Sequence, residues 1–118
     1  MTRKAVYRLP LPPSVNECWR NVPRRGRVAT GKYKAWKAEA AWKIRAACPE
    51  IADGWVQIEI LASLRRVTAD LDNVIKPVLD ALQEGQALVN DRTVRRLTVE
   101  RAADSSDGWV VVWVSAAD

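Results

Sequence analysis

Two aspartates one residue apart, Asp70 and Asp72, are the clearest chemical signal in this sequence. Carboxylate oxygens are hard donors. They suit a hard divalent cation such as Mg²⁺ or Mn²⁺, and Mg²⁺ keeps several waters and commonly bridges to a phosphate. A cation held in this way activates one of its waters and neutralises a phosphate oxygen. If residues 70–72 are extended, the two side chains point the same way and reach one ion. Lys76 lies four residues after Asp72, on the same helical face. Its ammonium can stabilise charge on a phosphorane transition state or orient the attacking water. Asp80 continues that face, and Asp91 sits in an Asn-Asp turn beyond it. Each residue also has a structural reading. Asp72 is a good N-cap, Asp72, Lys76 and Asp80 make a ladder of surface ion pairs, and Asp91 is an ordinary turn residue.

Charge segregation favours the chemical reading. The chain has 118 residues, a net charge of +5 and no histidine. The absence of histidine excludes Ser-His-Asp and Cys-His catalysis, and with them His-ligated zinc. Cys18 and Cys48 do not make a disulfide framework or a C-x-x-C pair. Between Trp19 and Ala38 stand seven basic residues and no acid, with Trp19, Tyr33 and Trp36 interleaved. Arginines pair with phosphates bidentately, and aromatic faces stack on bases. Arg20, Arg24, Arg25, Arg27 and Lys32 are therefore candidate DNA contacts, with Arg65 and Arg66 beside the acidic stretch. From Val67 to Asp91 the balance reverses, with five acids against Lys76. An acidic island in a phosphate-binding protein repels its ligand unless a divalent cation lies between them.

The elements that must position these groups are legible from periodicity. Strands are expected at 6–9, 56–62, 94–102 and 109–114. A helix is expected at 31–48, capped by Thr30 and stopped by Pro49, with Tyr33, Trp36, Ala40, Ile44 and Ala47 on its apolar face. Trp42 falls on the opposite side, under another element or at a subunit contact. A second helix is expected at 71–83, ended by Gly85. The 14–29 segment reads as a polar, basic loop. The order is β-α-β-α-β-β, an α+β fold with a small mixed sheet, two helices packed on it and a closing antiparallel hairpin. The length suits a single domain, 1–118. No apolar run approaches the roughly 20 residues of a membrane span, and no signal core follows the N-terminal charges. A cytoplasmic protein is expected, without membrane association.

The run Asp70-Leu-Asp72-Asn73-x-x-Lys76-x-x-x-Asp80-Ala81-Leu82, followed by Asn90-Asp91, resembles the RusA-type Holliday junction resolvases. The opening Leu9-Pro-Leu-Pro-Pro-Ser-x-Asn16 is similar as well, so the resemblance covers essentially the whole chain. It implies a homodimeric, Mg²⁺-dependent endonuclease that nicks two strands of a four-way junction symmetrically, in DNA recombination and repair. It further implies Asp70, Asp72 and Asp91 as metal ligands and Lys76 as the catalytic lysine. Many members are encoded by phages or prophages. One departure is that the family often has two consecutive acids where this chain has Asn90-Asp91. Symmetry argues for the dimer independently, because a two-fold substrate cut twice needs two sites.

Two other readings remain beside the resolvase. In one, the chain binds DNA without cutting it and the aspartates only cap and pair. In the other, it is a metal-dependent nuclease for flaps or other branched DNA.

Overall fold

Alternating apolar residues at 56, 58, 60 and 62 place the central strand of the molecule. The computed structural model describes residues 4–47, 50–66, 68–103 and 107–117. Its elements are β1 (Lys4–Pro10), α1 (Val15–Cys18), β2 (Trp19–Val22), β3 (Gly26–Ala29), α2 (Gly31–Ala47), β4 (Val56–Ser63), α3 (Ile75–Glu84), β5 (Val94–Arg101) and β6 (Trp109–Ala116). Short 3-10 turns occupy Leu71–Val74 and Asp91–Thr93. The main sheet runs β1-β6-β4-β5, and β2 with β3 forms a separate hairpin. The α+β class and the mixed sheet are as expected.

The expected closing hairpin does not form. β6 lies between β1 and β4 and is antiparallel to both, while β5 is parallel to β4 at the edge. Residue chemistry explains the exchange. β6 is apolar on both faces and gains most from two neighbours. β5 carries Arg95, Arg96, Thr98 and Glu100 as exposed residues, which suits an edge strand. The parallel β4–β5 pair needs a crossover of a dozen or more residues. Residues 64–93, with α3 at their centre, supply it. Residues 104–106 of the expected turn lie outside the described residues, as does the predicted helix end at Cys48 and Pro49.

One face of the sheet carries the core. Tyr7, Leu9, Val56, Ile58, Ile60, Val110 and Val112 pack against Tyr33, Trp36, Ala40 and Ile44 of α2 and Val78, Ala81 and Leu82 of α3. Thr30 caps α2 as expected, its hydroxyl accepting from the Tyr33 N–H at 3.2 Å. The same hydroxyl donates to the Glu17 carbonyl at 2.6 Å, which ties α1 to α2. Ala47 is exposed rather than buried, and Trp42 is 71% exposed, so no described element covers it. β6 is not buried on both sides. Val110, Val112 and Val114 are buried, whereas Trp109, Val111 and Trp113 are half-buried on the opposite face.

The predicted second helix is two elements. Pro77 has no N–H to donate to residue 73, so a continuous α-helix from residue 71 would lose that bond. The chain instead makes the 3-10 turn and restarts at Ile75, which places Pro77 in the first turn of α3, where an N–H is not needed. Gly85 ends α3 with φ −77°, so a left-handed conformation is not what selects it. A Cβ there would lie 2.9 Å from Ile44 Cβ and Cγ2. Glycine is required by the close approach of α3 to α2. Gly85→Ala is therefore expected to destabilise the protein by about 1–3 kcal/mol through overpacking, measured by urea unfolding.

Candidate active site and nucleic-acid interface

Asp70, in the β4–α3 connection, is in extended conformation (φ −76°, ψ 130°) and precedes the turn that contains Asp72, without a side-chain capping bond to it. Both are exposed. Asp72 already has helical backbone, so the two residues do not share an extended run. Their common direction, expected from a two-residue spacing, is not imposed by the chain. Arg101, at the end of β5, braces this segment: its Nη2 donates to the Ala69 carbonyl at 2.7 Å. Its Nη1 is buried without a hydrogen-bond partner. Sequence reasoning missed Arg101, because a lone arginine at a strand end carries no local signal.

Lys76 pairs with Asp80, not Asp72. Its Nζ donates to Asp80 Oδ1 at 2.8 Å, and the buried Tyr33 hydroxyl donates to Asp80 Oδ2 at 2.6 Å. Tyr33 is wedged between Trp19 and Trp36, with ring centroids 5.2 and 6.2 Å away. The core thus fixes one oxygen of Asp80, and the other holds a lysine side chain that is 62% exposed. Burial, then the Asp80 hydrogen bond, pushes the Tyr33 phenol above its ordinary value, so it remains a donor. The Asp80 hydrogen bond pushes Lys76 above its ordinary 10.5, with the charges of Asp80 and Asp91 adding to it against the opposing effect of burial. A raised lysine value means the pair is intact below 10.5 and lost as pH rises through the raised value. Lys76 is therefore a cation at neutral pH, with no proton-accepting capacity there. In Asp80→Asn the alkaline limb of the cleavage pH profile is expected to move to lower pH, and Asp80→Glu should restore it in part.

Asp91 opens the Asp91–Thr93 turn, where its N–H donates to Gln83 Oε1 at 3.0 Å. Gln83 is at the far end of α3 from Asp72. Asp91 is therefore tied to the C-terminal part of α3, while its charge still acts on Lys76 in the first turn of that helix. Among the described residues no group of three or more Asp, Glu or Cys side chains could hold a metal ion. The donor chemistry still fits a hard divalent cation, because in this histidine-free region the donors are all oxygens.

Asp70 lines a cleft of about 980 Å³ between the β1 exit, α2 and residues 64–74. Lys32, Glu39, Arg65, Arg66 and Asn73 line it too. Arg65 lies against Gly108, where a β-carbon would collide with its side chain. Lys32 is tied to Glu17, an acid just outside the basic window. That pairing and the Ser14 N–H lower the Glu17 carboxyl to about 2.

The predicted basic loop is largely the β2–β3 hairpin. Arg24 (φ 69°) and Gly26 (φ 76°) take left-handed conformations around its turn. Arg20, Arg24, Arg25 and Arg27 are all exposed on it, and Arg27 lies 4.9 Å over the Trp19 ring. Periodicity could not find the hairpin, because short strands exposed on both faces have no apolar alternation.

A family model described as Endodeoxyribonuclease RusA matches residues 10–114. The chain belongs to the RusA family. The match runs from the last residue of β1 into β6. It therefore takes in the RusA chain's hairpin, the cleft, Lys76 and all three candidate metal ligands. Endonucleolytic cleavage of DNA is the activity class of the RusA family. No curated protein matches this RusA chain.

Proposed function

We propose that this protein is a Mg²⁺-dependent endonuclease that acts as a homodimer and resolves four-way DNA junctions by paired, symmetric nicks. The observation that carries the reading is the cleft where Asp70 opens beside Arg65 and Arg66, in a chain whose RusA match spans it. Asp70, Asp72 and Asp91 are the proposed metal ligands. Among the described residues of one chain they do not form a ready-made three-ligand group, so the ligand set would close in the assembled protein–DNA complex. A bound Mg²⁺ (or Mn²⁺) supplies Lewis acidity and an acidified water. The remaining work falls to side chains. Arg65 and Arg66 receive the phosphate backbone in the cleft, and Lys76 offers a fixed positive charge to the phosphate as negative charge develops. Asp80 and Tyr33 hold that charge in place.

The exposed hairpin arginines grip a junction arm through its phosphates. Each phosphate contact contributes about −0.9 to the slope of log K against log salt on duplex DNA. Arg24→Ser with Arg25→Ser is expected to flatten that slope by about 2 on a four-way junction, with cleavage at saturating protein little changed. The direct test of the reading is junction cleavage with and without Mg²⁺, beside a fork and a linear duplex. Preference for the junction supports resolution, and equal cutting of the fork points to a broader branched-DNA nuclease. A phage or prophage origin and a cytoplasmic site of action accord with this role.

A further inference from the structure

Arg101, the last residue of β5, stands in register with Ala62 near the end of β4, and the Ala102 N–H after it donates to the Ala62 carbonyl at 2.8 Å. That anchored strand end carries the Arg101 side chain to the segment before Asp70. Its Nη2 donates to the Ala69 carbonyl at 2.7 Å, while the Ala69 N–H donates to the Arg66 carbonyl at 3.1 Å. Ala69 is thus held from both sides. The bonded carbonyl belongs to the peptide that joins Ala69 to Asp70, so the guanidinium lies one planar unit from the Asp70 Cα. Its Nη1 is buried without a hydrogen-bond partner. Buried polar groups are nearly all hydrogen-bonded, and an arginine can only donate. Next along the chain is an acceptor. The Asp70 carbonyl takes the Asn73 N–H at 3.2 Å, but its carboxylate makes no capping bond to the turn. Asp70 is exposed, so its side chain can turn without breaking a described bond.

We propose that Arg101 is the positioning residue of the metal-binding segment. Nη2 fixes the backbone at Ala69, and Nη1 takes an oxygen of Asp70 when a cation gathers Asp70 and Asp72. The inference rests on the metal-dependent reading above. Arginine suits the task, because its planar fork offers donors to two acceptors at once. A carboxylate that ligates a metal is itself oriented by hydrogen bonds, and losing such a partner typically weakens metal binding about 10–100-fold. Contact with a DNA phosphate does not account for Nη1, because that atom is buried. The exposed Arg65 and Arg66 are placed for phosphate instead.

Mn²⁺ binding to the protein–junction complex tests the assignment, with uncleavable linkages in the junction and free Mn²⁺ followed by electron paramagnetic resonance. Arg101→Met is expected to weaken Mn²⁺ binding about 10–100-fold, and Arg101→Lys, which keeps one donor group, should recover part of the loss. Junction affinity without metal should stay within about twofold of wild type. The sign of the change is diagnostic. Removing a nearby positive charge would by itself tighten cation binding, whereas losing the positioning bonds weakens it. Arg96→Met, which removes an exposed charge from the same strand, should leave Mn²⁺ binding unweakened. Unchanged or tighter Mn²⁺ binding in Arg101→Met, or full recovery in Arg101→Lys, overturns the assignment while the metal-dependent reading stands. If Arg101→Met does not fold, as judged by circular dichroism, Arg101→Lys decides alone: weaker binding supports the assignment and wild-type binding overturns it. A wild type that binds no Mn²⁺ and cuts junctions in chelator overturns both.

Discussion

Asp72→Asn is expected to abolish cleavage, by about a thousandfold or more in single-turnover rate, while junction binding stays within about twofold of wild type. Asparagine keeps the size of the side chain and removes its charge. Asp72 is exposed within a 3-10 turn, so the fold does not depend on that charge. Removing a negative charge near the DNA offsets the loss of the cation that charge would hold, which separates binding from chemistry in one variant. Metal binding also has a stability readout. A cation that binds the native state alone raises the melting temperature in proportion to its occupancy. Mg²⁺ should therefore raise the melting temperature of the wild-type protein–junction complex more than that of Asp72→Asn. A normal cutting rate in Asp72→Asn would remove Asp72 from the site.

Lys76→Met is expected to have the next largest effect, a loss of about 10²–10³ in cleavage rate with little change in junction affinity. Methionine keeps an unbranched stem and loses the ammonium. Asp80 retains its bond from Tyr33, so the carboxylate does not collapse into the core. What disappears is the positive charge that Asp80 holds at a fixed place. If Lys76 only contributed a surface ion pair, its loss would cost a few tenths of a kcal/mol in stability and leave the rate unchanged. Single-turnover cleavage and thermal melting on the same preparation separate the two roles.

The sequence carried the elements with strong periodicity. α2 with its Thr30 cap and β4 with its alternation were legible, because amphipathic faces and caps are local properties. Strand pairing was not. The short 102–108 connection suggested a hairpin, but burial of β6 between two neighbours outweighed the economy of a tight turn. The β2–β3 hairpin escaped because its strands are short and exposed. Gly85 was recognised as a helix end for the wrong reason, since its need comes from Ile44 on another helix and no local pattern records that contact.

The residue types of the candidate site stand out in the sequence, and their arrangement does not. The chemistry proposed for Asp70, Asp72 and Lys76 is suggested by residue type, and the family match spans all of them. Spacing suggested that Lys76 faces Asp72. The break of the helix at Ile75 and the buried Tyr33 give Lys76 to Asp80 instead. The sequence permitted Asp91 to return over the helix start or the sheet edge without requiring either, and the structure ties its N–H to Gln83 of α3. Arg101 became visible only when β5 lay beside the Asp70 segment.

The central claim is that this chain makes metal-dependent paired nicks in a four-way junction. Its most direct test is a junction labelled in turn on each strand, incubated with wild-type protein in Mg²⁺ and in chelator. Nicks are expected at symmetric positions on two opposing strands, formed within one binding event, and none in chelator. Equal cutting in chelator, or binding without any nick when Mg²⁺ is present, would contradict it.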